Sequence, residues 1–380
     1  MPEPLNAPVP IAVTVLILGV LIFVHELGHF LACRLRGVGV EKFSIGFGPE
    51  LAAWQGRQTR YSISWIPFGG FVKPQGETQE AIRERLAPDP RDYLTAPIAT
   101  RFLILIAGVA MNYLLAYVLF VAVLWIGRPV LSATIGGFVT GYPAETSGLK
   151  VGDQVTGVNA RKVRDWQDVT LGIMESKTEI LRFSVLRAGR PHEVEVEPRR
   201  EEGQDVFGRP RRIPRIGILP ADQYREERSG FWGAWVQAAQ LEWRLTRLTY
   251  EAIWYLVTGQ LSLRAVSGPI GIVALAGSAA KTGVLAILQL TAVLSVSLAV
   301  VNLLPIPALD GGHLCFLVVE AISRKRVSIV VQERLTQLGF YMLMILMVLV
   351  VYNDLVHMGA VDKLRSVFSS SAFGPQMVPW

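Results

Sequence analysis

LIFVHELGHFL, residues 21–31, sets two histidines four positions apart, with a glutamate between them, inside an otherwise apolar run. On a helix, His25 and His29 project from one face about one turn apart, close enough to share a metal ion. Glu26 then stands beside the ion without ligating it. In zinc hydrolases with this pattern the glutamate takes a proton from the attacking water and hands it to the leaving amine, while the metal acidifies the water and polarises the carbonyl. The same letters on a soluble helix often sit by chance on a solvated face. An apolar span removes that explanation, because ionisable side chains there are costly and as a rule functional.

The rest of the chain fits a membrane setting. Of 380 residues, 51% are hydrophobic and 18% charged, with a mean hydropathy of +0.38. That is too apolar for a soluble protein and too charged for one embedded throughout. Spans of roughly 20 apolar residues are expected near 9–32, 102–126, 284–304 and 338–356, with room left for one domain of about 100 residues. The net charge of +6 calls for no nucleic-acid partner, since much of the excess lies in two segments beside spans, Arg34 to Arg101 and Arg324 to Arg334. The positive-inside rule puts such segments in the cytoplasm. The N-terminus, residues 128–282 and the C-terminal tail then lie on the opposite side. No Lys or Arg precedes the first span, which argues against a cleaved signal peptide. Cys33 and Cys315 sit near expected cytoplasmic span ends, a reducing setting, and read as small buried thiols rather than a disulfide.

The second half of a metal site is expected in VVNLLPIPALDGGH, residues 300–313. Pro305 and Pro307 cannot continue a regular helix, and Gly311 and Gly312 permit unusual backbone. Irregular backbone at membrane depth persists only where protein or a wet cavity satisfies it. A catalytic zinc usually keeps three protein ligands and one open position. The first and third spans run in the same direction, which brings HELGH and LDGGH toward one leaflet, so Asp310 is the best third ligand. His313 reads as a fourth ligand, a partner holding Asp310, or an interfacial histidine. A fourth ligand would close the open position, which favours the other two. Asn112 and Asn302 are polar residues in apolar surroundings, where asparagines commonly tie helices together; Asn302 is equally placed to hold substrate backbone.

HELGH at 25–29 and NLLPIPALDGGH at 302–313 resemble the two signatures of the site-2 protease family of intramembrane zinc metalloproteases, of the bacterial regulator-of-sigma-E protease type. GFGP at 46–49, the strand-like segment up to Gly70, and SGPIGI at 267–272 extend the likeness over nearly the whole chain. The resemblance implies one Zn2+ ion on His25, His29 and Asp310, with Glu26 as catalytic base and Asn302 helping to bind the substrate strand. It also implies a substrate that is a single-pass membrane protein already trimmed on its outer side, such as an anti-sigma factor. The best-known member of that family carries two tandem PDZ domains, and this chain has room for one.

Residues 128–220 are expected to form that domain. Short alternations such as ILRFSVLR and HEVEVEP read as strands, and GYPAETSGLKVGDQVTGVNARKVRDWQDV, residues 141–169, resembles a PDZ domain. PDZ domains take an extended peptide on a sheet edge and a terminal carboxylate on backbone amides. Ile135, Gly136, Gly137 and Phe138 are the expected carboxylate loop, unless the domain is a size filter that binds nothing. In the membrane-associated β segment, about 41–75, Tyr61, Ile63 and Trp65 alternate with smaller polar residues, as in a half-buried strand. Ile63 and Trp65 are expected to meet the substrate, because an intramembrane protease must unwind a helix and an open sheet edge can receive the strand. Packing within the core is the alternative. Residues 221–282 include an amphipathic stretch, 231–258, that reads as an interfacial helix or else a fifth crossing. Residues 200–212 read as a charged loop and 367–380 as a loose tail.

The expected whole is a polytopic α-helical protein of the bacterial inner membrane. It has an N-terminal half, 1–127, an outer PDZ domain, the interfacial segment and a C-terminal half, 283–366. It acts as a zinc endopeptidase on a membrane substrate within lipid, with the active site toward the cytoplasm. An ion transporter and an inactive PDZ scaffold are the rival readings.

Overall fold

The computed structural model describes residues 8–77, 89–204, 210–262 and 266–357. The tail at 367–380 and part of the 200–212 segment lie outside them. Contacts divide the chain into two compact units. One comprises residues 1–121, 237–251 and 266–380; the other comprises 122–236 and 252–265.

In the first unit, α1 (Pro8–Leu35) carries HELGH in its second half. At 1.5 Å per residue its 28 residues reach about 42 Å, more than the ~30 Å of bilayer hydrocarbon. β1 (Val40–Gln55) and β2 (Arg60–Pro74) follow as one antiparallel hairpin broken by repeated register shifts. Next come α2 (Ile98–Ile126), the middle of α4 (Phe231–Val257), whose two ends belong to the second unit, α5 (Pro269–Thr282), α6 (Val284–Asn302), α7 (Asp310–Ser323) and α8 (Ile329–His357). Among the described residues, α1, α2, α6 and α8 are long and apolar enough to cross a membrane. The last begins nine residues before the expected start at 338, because Ile329, Val330 and Val331 continue its apolar helix through Glu333 and Arg334. α4 is one continuous helix and not among those spans. Its exposed Trp232, Trp243 and Trp254 recur every eleven residues and so share a face.

α5 is a short apolar helix inside a region expected to be interfacial. Its Ala276 packs with Ile17 and Leu21 of α1. Its first turn is held by Asp354 of α8, which accepts from the amides of Gly268, Ile270 and Gly271 at 3.0–3.1 Å. Residues 303–309 are irregular, as the two prolines require. Gly311 and Gly312, however, belong to the first turn of α7. They are needed there for room: a Cβ on either would stand 2.3 Å from the carbonyl oxygen of Leu304 or Ile306. Cys33 is buried, but Cys315 is exposed on α7, contrary to expectation.

The β segment turns its serines inward and its larger apolar side chains outward, against the alternative of core packing. Ser62 and Ser64 are buried, while Ile63 and Trp65 are 42% and 66% exposed. The hydroxyls satisfy one another, since Ser62 Oγ donates to Ser44 Oγ and Ser44 Oγ lies 3.2 Å from Ser64 Oγ. Small hydrogen-bonded groups therefore fill the inner face at little cost, and the apolar side chains are left outside.

The second unit is β-rich. A four-stranded sheet in the order β6-β5-β7-β8 is built from Arg161–Lys162, Gln154–Val158, Leu181–Arg187 and Arg190–Val196. With α3 (Trp166–Met174) it encloses a core around Leu149, Val155, Val169, Leu181 and Phe183. Three two-stranded ladders complete the unit. β3 (Arg128–Leu131) pairs with β12 (Tyr224–Glu227), and β4 (Ile135–Phe138) with β11 (Ile218–Pro220). The third joins β9 (Arg199–Gln204) to β10 (Pro210–Arg215). The β12–β3 ladder therefore carries this unit past the expected limit at 220, through residue 227. The described residues of its 200–212 segment are strand rather than loop, pinned by buried Ile213 and by Tyr142 donating to Glu201.

Candidate active site

The helical spacing of α1 places His25 and His29 on one face, with Nε2 atoms 3.2 Å apart. Asp310, the first residue of α7, brings Oδ2 to 3.1 Å from His25 Nε2 and 3.4 Å from His29 Nε2. These three are the one group of candidate ligands among the described residues, with ligand atoms mutually within 4.8 Å. His29 Nδ1 lies 2.8 Å from the Ile104 carbonyl oxygen. A neutral His29 donates its proton there and presents the Nε2 lone pair to the cluster. Asp310 Oδ2 is buried without a well-aligned hydrogen bond. Two imidazole lone pairs and a carboxylate oxygen converging in a partly buried site repel one another unless a cation lies between them. The residues thus fit a zinc ion, to which they would offer three N/O ligands.

Further groups hold this cluster, and the motifs alone do not reveal them. Buried Asn112 of α2 sets its amide 3.4 Å from His25 Nδ1. With that amide turned so that Oδ1, otherwise partnerless, faces the ring, it accepts the Nδ1 proton and frees His25 Nε2 as a ligand. The Asn112 carbonyl in turn accepts from Ser295 of α6. Gly108 of α2 lies against both imidazoles, where a Cβ would stand 2.4 Å from His29 Nε2. Gly28, inside HELGH, meets α2 equally closely at Ala107. Glu26 accepts a hydrogen bond from the Val72 amide of β2 at 3.0 Å, which fixes its carboxylate against the hairpin.

A cleft of about 430 Å3 is lined by His25, Glu26, Asn302, Asp310 and His313, with Phe47, Gly69 and Gly70 from the hairpin. Asn302 Nδ2 reaches 3.4 Å from His25 Nε2, so this residue stands at the cluster rather than merely tying helices. His313 lines the cleft outside the ligand group and meets Phe316 edge-on at 5.9 Å between ring centroids. Ile63 and Trp65 are exposed on the hairpin but do not line the cleft.

Ile135–Phe138, expected as a carboxylate loop, is a strand. Ile135 is fully buried, its amide donates to Asp153 and its carbonyl accepts from Gly152, while Gly137 and Phe138 pair with β11. The Ile135 amide, spent in this way, is not free for a terminal carboxylate.

Sequence comparison with known proteins identifies the family. Residues 13–346 match the model of Peptidase family M50. A provisionally named zinc metalloprotease of Clostridium acetobutylicum is 33% identical over 91% of this chain and 97% of its own length. The zinc metalloprotease RasP of Geobacillus kaustophilus is 29% identical over 90% and 96%. A solved PDZ domain of an SdrC-like protein from Listeria monocytogenes aligns with 24% of this chain and 88% of its own at 17% identity. Its TM-score of 0.19 is too slight to fix that segment's fold. With four helices long and apolar enough to cross a membrane and a zinc-type ligand cluster joining the first of them to α7, the chain belongs to Peptidase family M50 and is an integral-membrane zinc metalloprotease.

Proposed function

We propose that the protein hydrolyses a peptide bond inside the transmembrane segment of a single-pass membrane protein. In this reading one zinc ion is held by His25, His29 and Asp310, and Glu26 is the general base. The observation that carries it is the convergence of those side chains between α1 and α7, with His25, Glu26 and His29 inside an apolar span. Zinc, when bound, supplies Lewis acidity toward the scissile carbonyl and the attacking water. Asn112 and the Ile104 carbonyl orient the imidazoles. Glu26, braced by the Val72 amide, takes the water proton and returns it to the leaving nitrogen. The exposed apolar face of the hairpin, with Ile63 and Trp65, receives the unwound segment beside the cleft, and Asn302 holds its backbone.

The finer reading follows the resemblance and the charge pattern. The basic flanks support a reading in which residues 34–101 and 324–334 face the cytoplasm of a bacterium and the β-rich unit lies outside. There that unit acts as a PDZ domain that inspects or excludes substrate ectodomains, and a trimmed anti-sigma factor is the substrate type the resemblance indicates. The test is Glu26→Gln in the purified protein. The amide keeps the shape but cannot accept the proton, so zinc content is expected to stay at wild type while cleavage falls by roughly 10²–10⁴-fold or more. Near-normal turnover would remove Glu26 from the chemistry.

A further inference from the structure

A second cavity, of about 380 Å3, is lined by Arg101, Glu320, Arg326, Ser328 and the first turn of α8, with apolar walls that include Leu105 and Phe316. Arg101 is buried and forms a bidentate pair with Glu320, at 2.6 and 3.0 Å. Arg326 lies 3.6 Å from the same carboxylate but is 59% exposed. Two guanidinium groups thus face one carboxylate, leaving a net positive wall. Arg324 and Lys325 add exposed charge beside it. The depth of the cavity is set by the spans themselves. Arg101 is the fourth residue of α2, and Ile329 to Gln332 open α8. Two membrane-crossing helices therefore begin at this level, which is where apolar core gives way to lipid headgroups. A cavity that is cationic on one side and apolar on the other, at that depth, has the polarity of an anionic phospholipid.

We infer that this cavity binds the phosphate of an anionic phospholipid, with Arg326 as the exposed clamp and Arg101 as the fixed charge behind it. Guanidinium forks suit phosphate oxygens in pairs. Glu320 limits the attraction and holds Arg101 in place, and the aliphatic and aromatic walls take the glycerol and the start of the acyl chains. The site is separate from the proteolytic cluster except for His313, the one residue that lines both cavities.

Retention of phosphatidylglycerol against phosphatidylcholine by the purified full chain, read by native mass spectrometry from mixed micelles, tests the assignment. Arg326→Ala is expected to lower the preference for phosphatidylglycerol by about fivefold, the usual worth of one basic residue at an anionic surface. Lys325→Ala, the same charge change off the cavity wall, is expected to leave it unaltered. Excess inorganic phosphate is expected not to displace the lipid. Equal losses in both variants would mean diffuse surface attraction, and displacement by inorganic phosphate would mean a free-anion site. Either result overturns the lipid assignment. Because the readout is lipid retention rather than cleavage, it stands or falls apart from the proteolytic role of Glu26.

Discussion

Asn112 is uncharged and lies 87 residues from His25, yet it supplies the partner that decides which imidazole nitrogen faces the metal. Its replacement by leucine keeps the branched shape and removes that partner. Zinc affinity in Asn112→Leu, measured by competition with a chelator, is expected to fall about 10- to 100-fold, with the helical content unchanged. Wild-type affinity would assign Asn112 to helix packing alone. The same contrast explains what could be read in advance. HELGH and LDGGH announce themselves because metal chemistry demands particular side chains at particular spacings. The Ile104 carbonyl and the Val72 amide carry no such signature, since any residue supplies a backbone group and only the fold brings it to the site. Asn112 was visible as a polar residue in an apolar run, but not its partner.

At the scale of elements, the hairpin is the instructive case. A period of two divides β2 into a Tyr61, Ile63, Trp65 face and a Ser62, Ser64 face without saying which points inward. Burial usually follows the larger apolar set, and here hydrogen bonds among Ser44, Ser62 and Ser64 permit the reverse. Trp65→Ala should accordingly change stability by only about 0.5 kcal/mol while raising the substrate concentration needed for half-maximal cleavage. A large loss of thermal stability with unchanged substrate dependence would make Trp65 a packing residue instead. The long spans were legible as unbroken apolar runs. α5 was not, because 14 residues of small and apolar side chains, PIGIVALAGSAAKT, are too short for a span and too uniform for an amphipathic signal. What defines it is Asp354, more than 80 residues away, capping its first turn.

For the whole molecule, two units with different solvents must each be stable. The β-rich unit leans on a buried carboxylate: Asp153 accepts from Arg187 Nε and Nη2 at 2.7 Å and from the Lys150 amide at 2.9 Å. The Arg187 guanidinium, above all, holds the Asp153 carboxyl below its ordinary value, against the opposing effect of burial. A depressed folded-state pKa stabilises above the unfolded value, about 3.9 for Asp, and that contribution is lost as pH falls through the folded one. Asp153→Asn should therefore cost roughly 1.5–3 kcal/mol near neutrality, and the gap to wild type should narrow as pH drops below about 4. A gap independent of pH would mean that shape rather than charge matters there. This unit runs past the expected limit at 220 because β12 returns to pair with β3 across some 90 positions, a long-range ladder that local alternation does not foreshadow. The central claim concerns where the bond is cut, and it is tested by reconstituting the protein in liposomes with a trimmed single-pass substrate and measuring the intact masses of both fragments. The account predicts termini inside the apolar segment that disappear when zinc is chelated; termini confined to the flanking hydrophilic sequence would contradict it.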